Sequence, residues 1–151
     1  MRSRQSGFTL IELVTVIIIL GVVAAIAIPR FAKIATTSKI SDVNNMLGAV
    51  RSANLLAYSQ ALVNNQTGAT GTVTMEGVAV GLLYGYPDSK AGIGHALSST
   101  SGFTYVPGAT TTSTALFTLN SAVTPSSCYV SFRNPGTANT APTIGTLTTG
   151  C

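Results

Sequence analysis

The sequence predicts an α+β protein in which a long N-terminal α-helix packs on a small antiparallel β-sheet. Two observations support the helix: an apolar run from Phe8 to Ile28, and a helical spacing of apolar residues that continues to about residue 62. A third supports the sheet, because short β-prone runs lie among Gly, Thr, Ser and Pro in the remainder. The predicted segments are a leader at 1–7, the helix at 8–62 and one globular β domain at 63–151.

The first half of the helix has the length and composition of a membrane span. Phe8 to Ile28 is 21 residues with one charge, Glu12, and at about 1.5 Å per residue it extends roughly 31 Å, which matches a hydrocarbon core. The leader carries Arg2 and Arg4 and no acid. This bias predicts a cytoplasmic N-terminus and a translocated C-terminal bulk. A carboxylate inside such a span is costly, so we expect Glu12 to have a partner.

The second half of the helix is predicted to be amphipathic. Apolar residues recur every three or four positions, whereas polar side chains such as Ser41, Asn45 and Arg51 fall outside the stripe. The stripe consists of Val43, Met46, Leu47, Val50, Ala53, Ala57 and Ala61. We expect it to face the β domain.

The β domain is predicted from alternation and turn residues. Strands are predicted at 73–80, 103–106, 115–120 and 129–132, with turn signals at Tyr84-Gly85-Tyr86-Pro87-Asp88. Cys128 and Cys151 lie in the translocated part, where the compartment is oxidising, so a disulfide is favoured over free thiols or metal ligands. It would close a C-terminal loop at 128–151.

The hexapeptide Gly7-Phe8-Thr9-Leu10-Ile11-Glu12 resembles the processing signal of type IV pilins and of the related pseudopilins of type II secretion. Gly21 and Pro29 also fall on the family's pattern. The resemblance implies a type IV pilin fold, cleavage by a prepilin peptidase between Gly7 and Phe8, and N-methylation of Phe8. It also implies an inner-membrane subunit that the pilus assembly machinery polymerises into an extracellular filament, with residues 8–28 as its core.

Two roles within the helix follow from this resemblance and from physics. The Phe8 ammonium exposed by cleavage and the Glu12 carboxylate would relieve each other's desolvation, either within one helix or between neighbouring subunits. We hypothesise the intersubunit pair. Gly21 and Pro29 weaken the helix, and the segment between them is predicted to be either a hinge that unwinds in the filament or a simple kink at Pro29.

Within the pilins, Tyr84-Gly85-Tyr86-Pro87 and the C-terminal cysteine resemble the mannose-sensitive haemagglutinin type of major pilin. Such a disulfide-bounded region counts against major pseudopilins, which usually lack it. The sequence does not predict an enzyme. His95 is interpreted as a loop or packing residue, and no cofactor is predicted. Glu76 and Asp88 are a thin basis for calcium, so no metal site is predicted either.

Three functions remain open at this point. The favoured one is a structural subunit of a type IV pilus for adhesion, surface attachment or motility, whose partners are further copies of itself and a host or environmental surface. The second is a pseudopilin, and the third is a monomeric membrane-anchored binding module. Net charge is +4 with the leader and about +2 once Arg2 and Arg4 are removed, and without basic runs this does not favour DNA as a partner.

Overall fold

The computed structural model describes residues 7–134 and 136–151. Met1 to Ser6, which include Arg2 and Arg4, and Pro135 lie outside the described residues. The chain forms two compact units, Met1–Thr37 and Ser38–Cys151.

The first helix, α1, spans Leu10–Val63. It ends where the sequence predicts, because Asn65 adopts a left-handed backbone with φ of 54° and the Gln66 amide donates to the Ala61 carbonyl at 2.7 Å. Asparagine tolerates this conformation, which terminates helices by satisfying their last carbonyls. The predicted helix end at about residue 62 is confirmed.

The predicted α+β class, a long helix with antiparallel strands, is confirmed, but the C-terminal unit contains two sheets rather than the single one predicted. The first has the order β1-β2-β3, with β1 at Gly71–Met75, β2 at Val78–Leu83 and β3 at Tyr86–Pro87. The predicted strand at 73–80 was also wrong, because Glu76 and Gly77 have φ of 50° and 82° and form a two-residue turn between β1 and β2.

The second sheet has the order β4-β5-β6-β7. Its strands are β4 at Phe103–Val106, β5 at Ala115–Leu119, β6 at Tyr129–Arg133 and β7 at Thr143–Leu147. The first three confirm the predicted strands within a residue, whereas β7 was not predicted. A short helix, α2 at Gly92–His95, and a 3₁₀ turn at Pro125–Ser127 occupy the connections.

The apolar stripe of α1 is buried against both sheets, as the spacing predicts. Val43, Met46 and Val50 share one cluster with residues of the second sheet such as Phe117 and Phe132. The next turns of the stripe are alanines, which form a second cluster with residues of the first sheet; its buried members are Ala53, Ala57, Ala61, Val73, Val80, Leu82 and Ala96. Large side chains thus face one sheet and small ones the other. Leu47, at the edge of the stripe, is only half-buried.

The predicted disulfide is present between Cys128, at the start of β6, and Cys151. Their Cα atoms lie 5.0 Å apart, within the usual range for such bonds, and both residues are buried. The bond ties Cys151 to the residue that directly precedes β6. The segment between Cys128 and Cys151 is therefore held at both ends.

Asn134, directly after β6, adds a polar anchor that the sequence did not predict. Its side-chain Nδ2 donates to the carbonyls of Leu83, Tyr86 and Pro87 at 3.3, 3.3 and 3.0 Å. Its backbone amide donates to the Ser89 Oγ at 2.9 Å. Because Asn134 is 1% exposed, these bonds join the C-terminal loop to the β2–β3 hairpin inside the domain.

Candidate assembly site

The N-terminus of α1 is closed by a reciprocal pair of hydrogen bonds between Thr9 and Glu12. The Glu12 amide donates to Thr9 Oγ1 at 3.4 Å, while Glu12 Oε2 accepts from the Thr9 amide at 2.9 Å and from its hydroxyl at 2.8 Å. This is the arrangement of a capping box, in which a Thr at the N-cap and a Glu three residues later satisfy each other's backbone donors. The helix therefore begins at Leu10.

Glu12 thus has a local partner within its own chain. Both hydrogen bonds from Thr9 end on Oε2, so the carboxylate is oriented at the helix start while Oε1 takes no part in them. The residue is exposed in the single chain. A carboxylate near a helix N-terminus is also stabilised by the helix dipole. The geometry leaves a fixed negative group on the surface of an otherwise apolar helix.

The predicted cleavage point lies just before this cap. Gly7 and Phe8 are exposed and precede the helix, and Phe8 is 81% exposed. A backbone outside regular structure is the conformation that proteolytic cleavage requires. The Gly7–Phe8 bond is therefore accessible in the described part of the chain, whereas the basic leader residues lie outside it.

The helix that follows presents apolar side chains on every face. One helix in the described residues, Leu10–Val63, is long and apolar enough to cross a membrane by length and composition, and none of its most apolar window is buried within the chain. Among positions 7–28, the exposed large apolar residues are Phe8, Leu10, Ile11, Leu13, Val14, Val16, Ile17, Ile18, Ile19, Leu20, Val22, Val23, Ile26 and Ile28. A helix that is apolar all round requires burial in lipid or against other chains.

Gly21 and Pro29 both lie inside α1. A Cβ built at Gly21 would meet nothing within 4 Å, so in the single chain this glycine is not required by packing. The helical assignment continues through Pro29 although proline removes one backbone donor there. Unwinding between these residues in a filament stays a prediction.

The remaining titratable candidates belong to the C-terminal unit. His95 Nδ1 lies 3.0 Å from the Ala79 carbonyl oxygen, a packing role of the kind expected. Asp88 Oδ1 accepts from three successive amides, those of Lys90, Ala91 and Gly92, and so fixes the turn that leads into α2, whereas Glu76 is in the β1–β2 turn. Within 7–134 and 136–151, no group of three or more His, Cys, Asp or Glu side chains could hold a metal.

Thr9 is the functional residue that the sequence reasoning missed. The signal was present, because Thr9-Leu10-Ile11-Glu12 has the Thr-x-x-Glu spacing of a capping box directly before an apolar run. Glu12 was considered only as a charge in need of a counter-charge. The structure assigns it a helix-starting role as well.

Comparison with known proteins agrees with this geometry. Residues 2–28 match the family model of the prokaryotic N-terminal methylation motif. A type IV narrow pilus major component of Thermus thermophilus, PilA5, is 47% identical over 58 residues, covering 38% of this chain and 50% of that protein. The type IV major fimbrial protein FimA of Dichelobacter nodosus is 47% identical over 53 residues, covering 35% of this chain and 34% of that protein.

The same segment matches the type IV major pilin protein PilA of Myxococcus xanthus, at 46% identity over 57 residues, 38% of this chain and 26% of that protein. The chain thus spans half or less of the length of these relatives. Each is named as a pilus or fimbrial component, in agreement with the prediction of a non-enzymatic protein. No solved structure matches the chain. The N-terminal third of this chain, which carries the methylation motif, is therefore similar to the corresponding part of type IV pilins.

Proposed function

We propose that this chain is a structural, major subunit of a type IV pilus. The leader is cleaved between Gly7 and Phe8, Phe8 is N-methylated, and the subunit waits in the inner membrane with its N-terminus in the cytoplasm. The pilus machinery then polymerises it into an extracellular filament for adhesion, attachment or motility. The observation that carries the proposal is the all-round apolar surface of α1 up to Ile28, with the oriented Glu12 near its start.

Burial of that surface keeps the apolar segment out of water, both in the membrane and in the filament. Side chains such as Ile17 and Leu20 are 58% and 61% exposed in the single chain, and full burial of such a side chain contributes about 1.5–3 kcal/mol. Lipid and a bundle of neighbouring helices both provide an apolar environment, so the subunit can pass from one to the other. The transfer is thus compatible with reversible filament growth.

Glu12 supplies what apolar contacts lack, which is a defined register. Apolar helices slide past one another at little cost, whereas a buried ion pair holds a single alignment. Because Thr9 already binds Oε2, the carboxylate is pre-oriented and its other oxygen can accept the Phe8 ammonium of a neighbouring subunit. In this proposal the capping box fixes the acid and cleavage creates its partner.

The test is filament assembly by a Glu12→Ala variant in a strain that lacks the native chain. Glu76→Ala is the matched control, because Glu76 is an exposed acid that belongs to the C-terminal unit. We expect normal filaments with the control and few or none with Glu12→Ala, while both variants remain in the membrane fraction. Normal filaments from Glu12→Ala would refute the register role.

A Thr9→Val variant separates the cap from the charge. It removes the hydroxyl bond to Glu12 but keeps the carboxylate and the side-chain shape, so we expect reduced rather than abolished assembly. Electron microscopy of a deletion strain beside its complemented parent tests the function itself. Loss of exoprotein secretion with surface filaments intact would support the pseudopilin hypothesis instead.

A further inference from the structure

A cavity of about 390 Å³ opens beside the C-terminal end of α1, within the C-terminal unit. This tyrosine cavity is lined by Tyr58, Leu62, Thr67, Tyr84, Tyr86 and Asn139. Its volume lies in the range of small-ligand sites. None of the described residues that line it carries a formal charge at neutral pH, so it suits a neutral ligand.

Two of the rings form a fixed platform. Tyr58 on α1 and Tyr86 on β3 are stacked with centroids 4.3 Å apart and planes within 9°. Burial, followed by the influence of Tyr58, raises the pKa of Tyr86, so the Tyr86 phenol stays neutral at physiological pH. A Cβ at Gly85 would lie 3.2 Å from the Tyr58 ring, which shows that the hairpin backbone packs directly on this ring.

Tyr84 is the residue that the fold itself does not require. Tyr84 and Gly85 have φ of 51° and 83° and form the two-residue turn between β2 and β3, where Asn-Gly or Asp-Gly is the preferred pair. A bulky side chain in this conformation is unfavourable. The Tyr84 amide donates to the Gly68 carbonyl at 2.8 Å and holds the turn in place. The turn accounts for the backbone conformation at this position, but it does not account for a tyrosine side chain there. Its ring lines the cavity.

From this arrangement we propose that the tyrosine cavity binds a neutral pyranose sugar. Aromatic faces carry partial negative charge, and a gluco-configured ring presents a face of axial C–H bonds that stacks on them. Its equatorial hydroxyls then meet the donors and acceptors at the rim, which are phenol, hydroxyl and carboxamide groups from Tyr84, Thr67 and Asn139. Tyr84 is a stacking residue at this site.

The polar rim favours a sugar over a proline-rich peptide, the other ligand that aromatic grooves bind. Such grooves contact proline rings with apolar walls, whereas Leu62 and Ala138 are the aliphatic side chains among the described lining residues. The proposal does not depend on filament formation. In a filament, repetition of the site would add avidity to a weak single contact.

The experiment measures binding of cellotriose to the full chain in a zwitterionic detergent without a sugar headgroup. A dissociation constant on the order of 1 mM is expected for so small a ligand, which saturation-transfer NMR detects. Transfer should be strongest at the axial ring protons, because these face the tyrosines. Tyr84→Asn removes the ring while supplying a residue that the turn prefers, and we expect roughly three- to ten-fold weaker binding.

The matched control is Glu76→Asn. It also introduces asparagine at the first position of a two-residue turn, here the β1–β2 turn, which lies outside the cavity. It should leave binding unchanged, and both variants should melt no lower than the parent chain because both relieve the same backbone conformation. Equal binding by the parent and Tyr84→Asn would overturn the proposal. So would the absence of cellotriose binding, or Tyr84-dependent binding of a proline-rich peptide without binding of the sugar.

Discussion

Removal of the Asn134 side chain should destabilise the C-terminal unit more than any surface contact of similar size. In Asn134→Ala, the carbonyls of Leu83, Tyr86 and Pro87 lose their shared donor, and the Gly136 amide loses the Oδ1 acceptor at 2.9 Å. The bond to Pro87 is fully buried, so that carbonyl bears a full penalty of about 1–3 kcal/mol. The partly buried carbonyls add less.

Together these losses amount to about 3 kcal/mol in the free energy of unfolding. For a domain of this size about 4 °C corresponds to 1 kcal/mol, so the midpoint should fall by about 12 °C. Near-ultraviolet circular dichroism is the appropriate assay, because the chain contains five Tyr and no Trp and the tyrosines lie in the C-terminal unit. Far-ultraviolet signals would instead be dominated by α1.

Asn120→Ala is the control, since Asn120 is exposed and its side-chain oxygen accepts one hydrogen bond, from Thr104 Oγ1 at 2.7 Å. Its midpoint should change by about 2 °C or less. Asn134→Asp distinguishes lost donors from lost volume, because its carboxylate would face three carbonyl oxygens and be less stable than the alanine variant at pH 7. A midpoint for Asn134→Ala within about 2 °C of the parent would refute the reasoning.

Three further predictions concern packing, the disulfide and pH. Gly92→Ala should lower the free energy of unfolding by about 2 kcal/mol, because its Cβ would meet a backbone carbonyl of β2. Gly48→Ala, on open helix surface, should raise it by about 1 kcal/mol. Thermal melting of the two variants compares them. The double variant Cys128→Ala/Cys151→Ala opens a loop of sequence separation 23 and should lose about 3.4 kcal/mol in chemical denaturation. Burial, and then the charge of Asp88, raises the pKa of Tyr105 to about 12. The stability that the neutral Tyr105 phenol contributes is therefore complete below pH 10 and is lost as pH rises through 12. In an ultraviolet titration, Tyr105→Phe should lack one late-titrating phenol that the parent shows.

The elements that the sequence predicted well are those with a long, repeated signal. The apolar run from Phe8 to Ile28 and the stripe from Val43 to Ala61 each repeat their pattern over many residues, so α1 followed directly. The strand prediction at 73–80 failed because the run of β-prone residues is interrupted at Glu76-Gly77, where a non-glycine residue followed by Gly forms a tight turn. β7 was missed because Thr143 to Leu147 contains Gly145 and two threonines, which dilute the apolar pattern.

The features that sequence reasoning could not supply depend on residues far apart in the chain. Asn134 donates to carbonyls 47 to 51 residues away, and nothing local to it predicts these partners. The Tyr58–Tyr86 stack likewise joins the helix to the first sheet. The Thr9–Glu12 cap is different, because both residues lie within four positions and their spacing was sufficient to predict it.

The N-terminal residue of subunits sheared from the cell surface tests the central claim most directly. Mass spectrometry of the intact protein and of its N-terminal peptide should find a chain that starts at Phe8 and carries one methyl group on its amine. That result is expected if cleavage creates the ammonium that meets Glu12 in the filament. Recovery of filament subunits that still begin at Met1 would contradict the account.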